Sequence, residues 1–332
     1  MSKPSRITEL LRASITMKEP FFLKGPVGVG KSQIAKQVCD ELGYEFIDVR
    51  LATMDPTDIK GFPAPDLAKK TMHWLPANFL PATKTKTKGL LFLDEMNSAL
   101  PAIQASAYQL TLDRRIGDYE LPAGWTVGAA GNRAIDRSIV NQTPAALNNR
   151  LIHMEMETDL DDWVNFARIK NISDTTIAFL RFKSMLLHSF DPAKNPEAFP
   201  TPRGWFKVDK IESRNFDPAV AYDLIKGTVG EAAAVEHKAF KNVYMTLPTI
   251  DEIAVSPDGA KLPTTPGALH AIITSMGSKT TKTSFPKFVQ YVGRMPPEWQ
   301  VLYVRDAMKV CRDVIFTREF RDWSVANQNV TL

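Results

Sequence analysis

Short, largely apolar runs alternate with amphipathic stretches through the first half of the chain, and the alternation stops near Asp159. The runs at residues 20–24, 46–50, 90–93, 125–130 and 151–156 are too short for helices and read as strands buried on both faces. Between the first two, Ile34, Val38, Cys39 and Leu42 recur at helical spacing from Ser32 until Gly43 ends the pattern. Residues 1–157 are therefore expected to form an α/β domain, a parallel sheet with helices on both faces. Beyond Asp159 no strand pattern returns, and helix starts are written plainly. Ser173 precedes Asp174 and an apolar run, and Thr201-Pro202 and Asp217-Pro218 each pair a capping residue with proline at the first helical position. A helical domain is expected over residues 158–246. Residues 247–332 are expected to open with a linker or long loop, because Pro248, Pro257, Asp258-Gly259, Pro263 and Pro266 interrupt any period. A C-terminal helical extension then carries Val301, Val304, Met308, Cys311 and Ile315, a stripe that reads as core rather than as a partner surface.

Composition narrows the class without naming it. At 332 residues the chain can hold two or three packed units, and 44% hydrophobic with 23% charged residues is an ordinary globular balance. The longest apolar runs, such as Leu90 to Leu93, fall far short of a membrane span, and the opening Met1-Ser2-Lys3-Pro4-Ser5-Arg6 does not lead into a signal-peptide-like segment. A cytoplasmic protein with no membrane contact is the expectation. The two cysteines, Cys39 and Cys311, have no metal-like spacing and fall on apolar helix faces, so buried free thiols are expected. A net charge of +4 leaves nucleic acid possible without arguing for it.

Chemistry concentrates at the ends of the apolar runs. Gly25-Pro26-Val27-Gly28-Val29-Gly30-Lys31-Ser32 is a complete G-x-x-x-x-G-K-S phosphate loop between a strand and a helix. Its glycines let backbone N–H groups surround phosphates at the positive end of the helix; Lys31 would reach the β- and γ-phosphates of ATP and Ser32 would ligate Mg²⁺. Leu90-Leu91-Phe92-Leu93 delivers Asp94 and Glu95 to a strand's C-terminal end, where such sheets bind ligands. Asp94 would hold the metal shell and Glu95 would orient an attacking water. The strand at 126–130 ends in Gly131-Asn132-Arg133, which as a parallel neighbour would bring Asn132 beside the γ-phosphate; an Asn that only tolerates the turn is the alternative. Arg150, after Asn148-Asn149, has the permanent, forked charge suited to a transferring phosphoryl group. Arg203 lies in a helix's first turn, where a cation opposes the helix dipole and lacks a local stabilising role. For both arginines a solvated side chain is the alternative.

Taken together, these residues resemble the AAA+ ATPases, and within them the MoxR family. The resemblance runs in order through about the first 245 residues, with Gly25 to Ser32 as Walker A and Leu90 to Glu95 as Walker B. The latter continues into Met96-Asn97-Ser98-Ala99, which looks like the family's D-E-[IL]-N-x-A. Gln104 to Leu112, Asp113-Arg114-Arg115 and Leu121-Pro122-Ala123-Gly124-Trp125 look like the helix, turn and approach to sensor 1. Pro144-Ala145-Ala146-Leu147-Asn148-Asn149-Arg150 resembles the segment bearing the arginine finger, and Ala198 to Arg203 the sensor 2 element. The resemblance implies that Asn132 is sensor 1, that Arg150 acts on a neighbour's ATP, and that Arg203 is sensor 2 on a helical lid over residues 158–246. It implies a Mg²⁺-dependent ATP hydrolase in a hexameric ring with shared active sites, remodelling or activating a protein target, often one bearing a von Willebrand factor A domain. A nucleic-acid-stimulated AAA+ motor is the alternative function.

The same resemblance places residues 55–76 in an insert facing the ring's pore or substrate side. Gly61, Pro63 and Pro65 fit an exposed hairpin on which Phe62 and Trp74 would grip a partner, though two aromatics buried beneath a loop is the favoured expectation. Two departures stand out: Asn149 replaces the acidic residue before the finger arginine, and Gly131-Asn132-Arg133 replaces the usual Q-N-P. Arg133 and Arg137 are therefore rival fingers. The run Lys84, Lys86, Lys88 has no family counterpart; a solvated loop is expected, with a polyanion contact as the lesser option.

Overall fold

Alternate residues of the central strands enter different cores, and this sorts the helices onto two faces. In the computed structural model, which describes residues 1–82, 84, 87–133, 148–194 and 196–327, β5 (Gly89–Asp94) sends Leu91 and Leu93 to one side and Leu90 and Phe92 to the other. β1 (Phe21–Lys24) does the same with Phe22 against Phe21 and Leu23. One face packs on α4 (Pro101–Asp113) through Ile103, Ala107 and Leu110. The other packs on α1 (Pro4–Met17) through Ile7, Leu11 and Ile15, and on α2 (Lys31–Leu42) through Ala35, Val38 and Cys39. The four apolar side chains of β5 are all fully buried, so this strand is the hydrophobic spine of the unit.

With β2 (Glu45–Arg50), β8 (Trp125–Gly131) and β9 (Ile152–Glu155), the sheet runs in the order β2-β5-β8-β1-β9, every pair parallel. The five expected strands are all present, within a residue or two of their expected ends. The register is tight enough to require glycine at one point: a Cβ on Gly128 would lie 2.2 Å from Cζ of Phe21. An antiparallel hairpin of β3 (Phe62–Asp66) and β4 (Thr71–Leu75) interrupts the unit after α3 (Pro56–Lys60). Phe62 is 67% exposed, while Trp74 is half-buried, its N–H bonded to Asp118 Oδ2 at 2.7 Å. The expectation of two buried aromatics fails for Phe62: it pairs with Leu75, so alternation puts it on the ribbon face opposite Trp74.

The chain folds as two compact units, the first comprising residues 1–162 and 190–196, the second 163–189 and 197–332. The second is helical, and its caps follow the sequence: Ser173 accepts from Thr176 N–H, Thr201 from Gly204 N–H, and Asp217 from the N–H groups of Ala219 and Val220. The stretch expected as linker or long loop holds a helix, Ile250–Val255, started by a capping box of Thr249 and Glu252. Its Ile253 joins Leu269, Ile272, Phe285, Phe288, Tyr303 and Val304 in the unit's core. The stripe packs there as expected, except that Cys311 caps the helix Pro297–Val310 and is only half-buried, while Ile315 is partly exposed. Cys39 is fully buried, and burial pushes its thiol up to about 12. Among the described residues no helix is long and apolar enough to cross a membrane.

Candidate nucleotide site

Parallel strands end at a common edge, and three of them deliver the chemistry. Lys24 is level with Gly131 across β1 and β8, and Leu93 with Ala129 across β5 and β8. Gly25, Asp94 and Asn132 therefore follow the C-terminal ends of three adjacent strands. The phosphate loop turns through Gly28 and Gly30 with φ of 77° and 96°, in the left-handed region that suits glycine. Gly30 is the N-cap of α2, which has no side-chain cap, and a Cβ there would meet nothing nearer than 3.9 Å. Open space beside left-handed glycines at an uncapped helix N-terminus suits phosphate oxygens, so the residues present fit a nucleotide.

Lys31 is buried, with Nζ donating to the carbonyls of Gly25 at 2.9 Å and Pro26 at 3.0 Å, and to Asn132 Oδ1 at 3.0 Å. The two candidates separated by 101 residues thus meet directly. Asp94 Oδ1 accepts from the N–H of Glu95 at 2.8 Å. Glu95 itself is left-handed, with φ 56° and ψ 29°, a backbone state uncommon outside glycine and found often at functional sites. Arg50, level with Asp94 on β2, holds Nε 3.7 Å from Glu95 Oε1. Asp48 on the same strand has its carboxyl raised, by desolvation first and then by the Asp94 charge, with Arg50 opposing and Glu95 adding to it. Ser32 with Asp94 offers the oxygen donors Mg²⁺ takes alongside phosphates.

The remaining candidates lie elsewhere. Arg150 is exposed and precedes Ile152, which is level with Phe21 at the start of β1. It stands at the edge opposite the phosphate loop, about 13 Å away along the strand by rise alone. Arg203 is exposed in the first turn of the helix Pro202–Glu212, in the second unit. Arg133 is half-buried beside Asn132, and Arg137 lies outside the described residues. Lys84 is exposed and Lys88 places Nζ 5.8 Å from the Tyr44 ring centre; Lys86 lies outside the described residues. Arg50 and Asn97 had no role assigned from sequence; Asn97, a buried amide, was visible there only as the Asn of the D-E-[IL]-N-x-A-like run.

A five-stranded parallel sheet of this order, with a phosphate loop after one strand and paired carboxylates after its second neighbour, defines a P-loop nucleotide-binding domain. Residues 20–159 match the family profile of the AAA domain (dynein-related subfamily), and the sheet and flanking helices of this segment have the AAA+ fold. No curated protein matches the chain. Similar solved structures include NtrX from Brucella abortus in complex with ADP, at 15% identity over 92% of this chain and 68% of that one, with a TM-score of 0.43. The RuvB Holliday junction branch migration motor of Thermotoga maritima is 15% identical over 76% of this chain and 80% of that one, with a TM-score of 0.38.

Proposed function

We propose that this protein is a MoxR-type AAA+ ATPase that hydrolyses ATP, with Mg²⁺, to remodel or activate a protein target in the cytoplasm. The observation that carries the reading is the meeting of Lys31, Asn132 and the Asp94-Glu95 pair at one sheet edge. Backbone N–H groups of Gly25 to Ser32 hold the phosphates, and Lys31 turns its ammonium from the Gly25 and Pro26 carbonyls to the β- and γ-oxygens. Glu95 accepts a proton from the attacking water, and the Asn132 amide orients that water towards the γ-phosphorus. Ser32 and Asp94 would hold Mg²⁺, which would supply charge compensation at the phosphate oxygens.

Arg150 is exposed at the end of the strands opposite the chain's own loop, which supports a role on a neighbour's nucleotide in a hexameric ring, with Arg203 as sensor 2. The target, in this reading, carries a von Willebrand factor A domain. The test is phosphate release in mixtures of Arg150→Ala and Lys31→Ala proteins, each inactive alone. Mixing creates interfaces with an intact loop on one side and an intact arginine on the other, so partial recovery is expected. Complete absence of recovery, in mixtures shown to co-assemble, refutes the shared site.

A further inference from the structure

We infer that Asn97 is a positioning residue for hydrolysis: its side-chain amide clamps the backbone of Asn132 and so fixes where the Asn132 side chain stands beside Lys31. This rests on the hydrolytic reading above. Asn97 is 4% exposed and lies in the short turn Met96–Ser98 that follows the acidic pair. Its Nδ2 donates to the Asn132 carbonyl at 2.8 Å, and its Oδ1 accepts from the Asn132 N–H at 3.3 Å. Only one orientation of the amide satisfies both bonds, because the carbonyl needs a donor and the N–H an acceptor. The adjoining Gly131 leaves room for the amide: a Cβ there would lie 2.2 Å from Asn97 Oδ1 and 2.5 Å from its Cγ.

The consequence is a continuous polar chain. Asn97 holds the Asn132 backbone, and the Asn132 side chain accepts from Lys31 Nζ at 3.0 Å. Asn97 is also two residues beyond Glu95 in the same loop, so the water-activating carboxylate and the water-orienting amide share one anchor. A displacement of about 1 Å at such a point costs up to 100-fold in rate without touching the reactants. Both bonds of the Asn97 amide go to the Asn132 backbone and neither to the phosphate loop, so its loss acts on the rate of the chemical step and spares nucleotide affinity.

The experiment measures kcat and ATP affinity for the wild type, Asn97→Ala, Asn132→Ala and the double variant, with folded fraction checked by thermal melting. Expected is a fall in kcat of about 10- to 100-fold for Asn97→Ala with affinity within about twofold of wild type. The double variant should then be no slower than Asn132→Ala alone, because both changes break one chain. Should Asn97→Ala fail to fold, Asn97→Asp keeps the acceptor and the shape but removes the donor, and the same lack of additivity is expected. Wild-type turnover with Asn132→Ala slowed but Asn97 variants unchanged, or with the two effects multiplying, overturns the clamp while leaving the hydrolytic reading intact. Absence of turnover in the wild type overturns both.

Discussion

Lys31→Met tests the phosphate loop with least disturbance to packing, since it keeps the apolar stem and removes only the ammonium. That ammonium donates to the carbonyls of Gly25 and Pro26 and to Asn132 Oδ1. Binding ATP exchanges the two carbonyl partners for anionic phosphate oxygens. Hydrogen bonds to charged groups contribute about 1.5–3 kcal/mol net, those from the ammonium to a neutral carbonyl at the low end and those to an anionic oxygen at the high end, so two exchanges are worth roughly 2–3 kcal/mol. Loss of that difference predicts ATP binding weakened about 30- to 150-fold. The contribution is local to the β- and γ-phosphates, so ADP should lose less and AMP little. Titration calorimetry with the three nucleotides measures this directly. ATP affinity within about threefold of wild type, or AMP weakened as much as ATP, refutes the placement of Lys31.

Arg150 and the helical unit with its acid sensitivity offer further tests. Arg150→Ala should abolish steady-state turnover while leaving nucleotide affinity intact, measured by phosphate release and calorimetry; a loss of affinity instead would place Arg150 at its own chain's nucleotide. In the second unit Asp306 is fully buried and takes both oxygens to Arg181, with Arg168 Nη2 at 3.2 Å from Oδ2. Asp306→Ala strands two guanidinium groups and should destabilise that unit by about 3–5 kcal/mol in denaturant unfolding; a loss under about 1 kcal/mol would show the cluster to be dispensable. His270, packed edge-on against Trp299 at 4.7 Å between ring centres, has its pKa lowered to about 4 by burial first and by Arg181 next, Asp306 opposing. Because the folded state resists a proton that the unfolded state accepts near 6.5, stability should fall as pH drops from about 6.5 towards 4. His270→Phe should flatten that segment of the stability–pH curve, and an unchanged slope would assign it to other groups.

The sheet was legible because each strand is an apolar run too short to be anything else, and the chemistry sits where those runs end. Lys31, Asp94 and Glu95 could be placed from local spacing alone. Asn97 and Arg50 could not, since their partners come from strands whose adjacency depends on sheet order: Arg50 is level with Asp94 only because β2 lies beside β5. Phe62 and Trp74 look alike in sequence, and only the packing of one ribbon face separates them. Asp306 was hidden for a similar reason. A carboxylate between Val304 and Met308 reads as the solvated side of a helix until Arg168 and Arg181, contributed by distant segments, surround it.

The central claim is that the edge formed by Lys31, Asn132 and Glu95 hydrolyses ATP, and the most direct test compares binding and turnover in the wild type and Glu95→Gln. The substitution keeps size and polarity but removes the proton acceptor, so ATP should bind with unchanged affinity while phosphate release falls by about 10²- to 10⁴-fold. Phosphate release by Glu95→Gln at the wild-type rate, or a wild type that binds ATP and never cleaves it, would contradict the account.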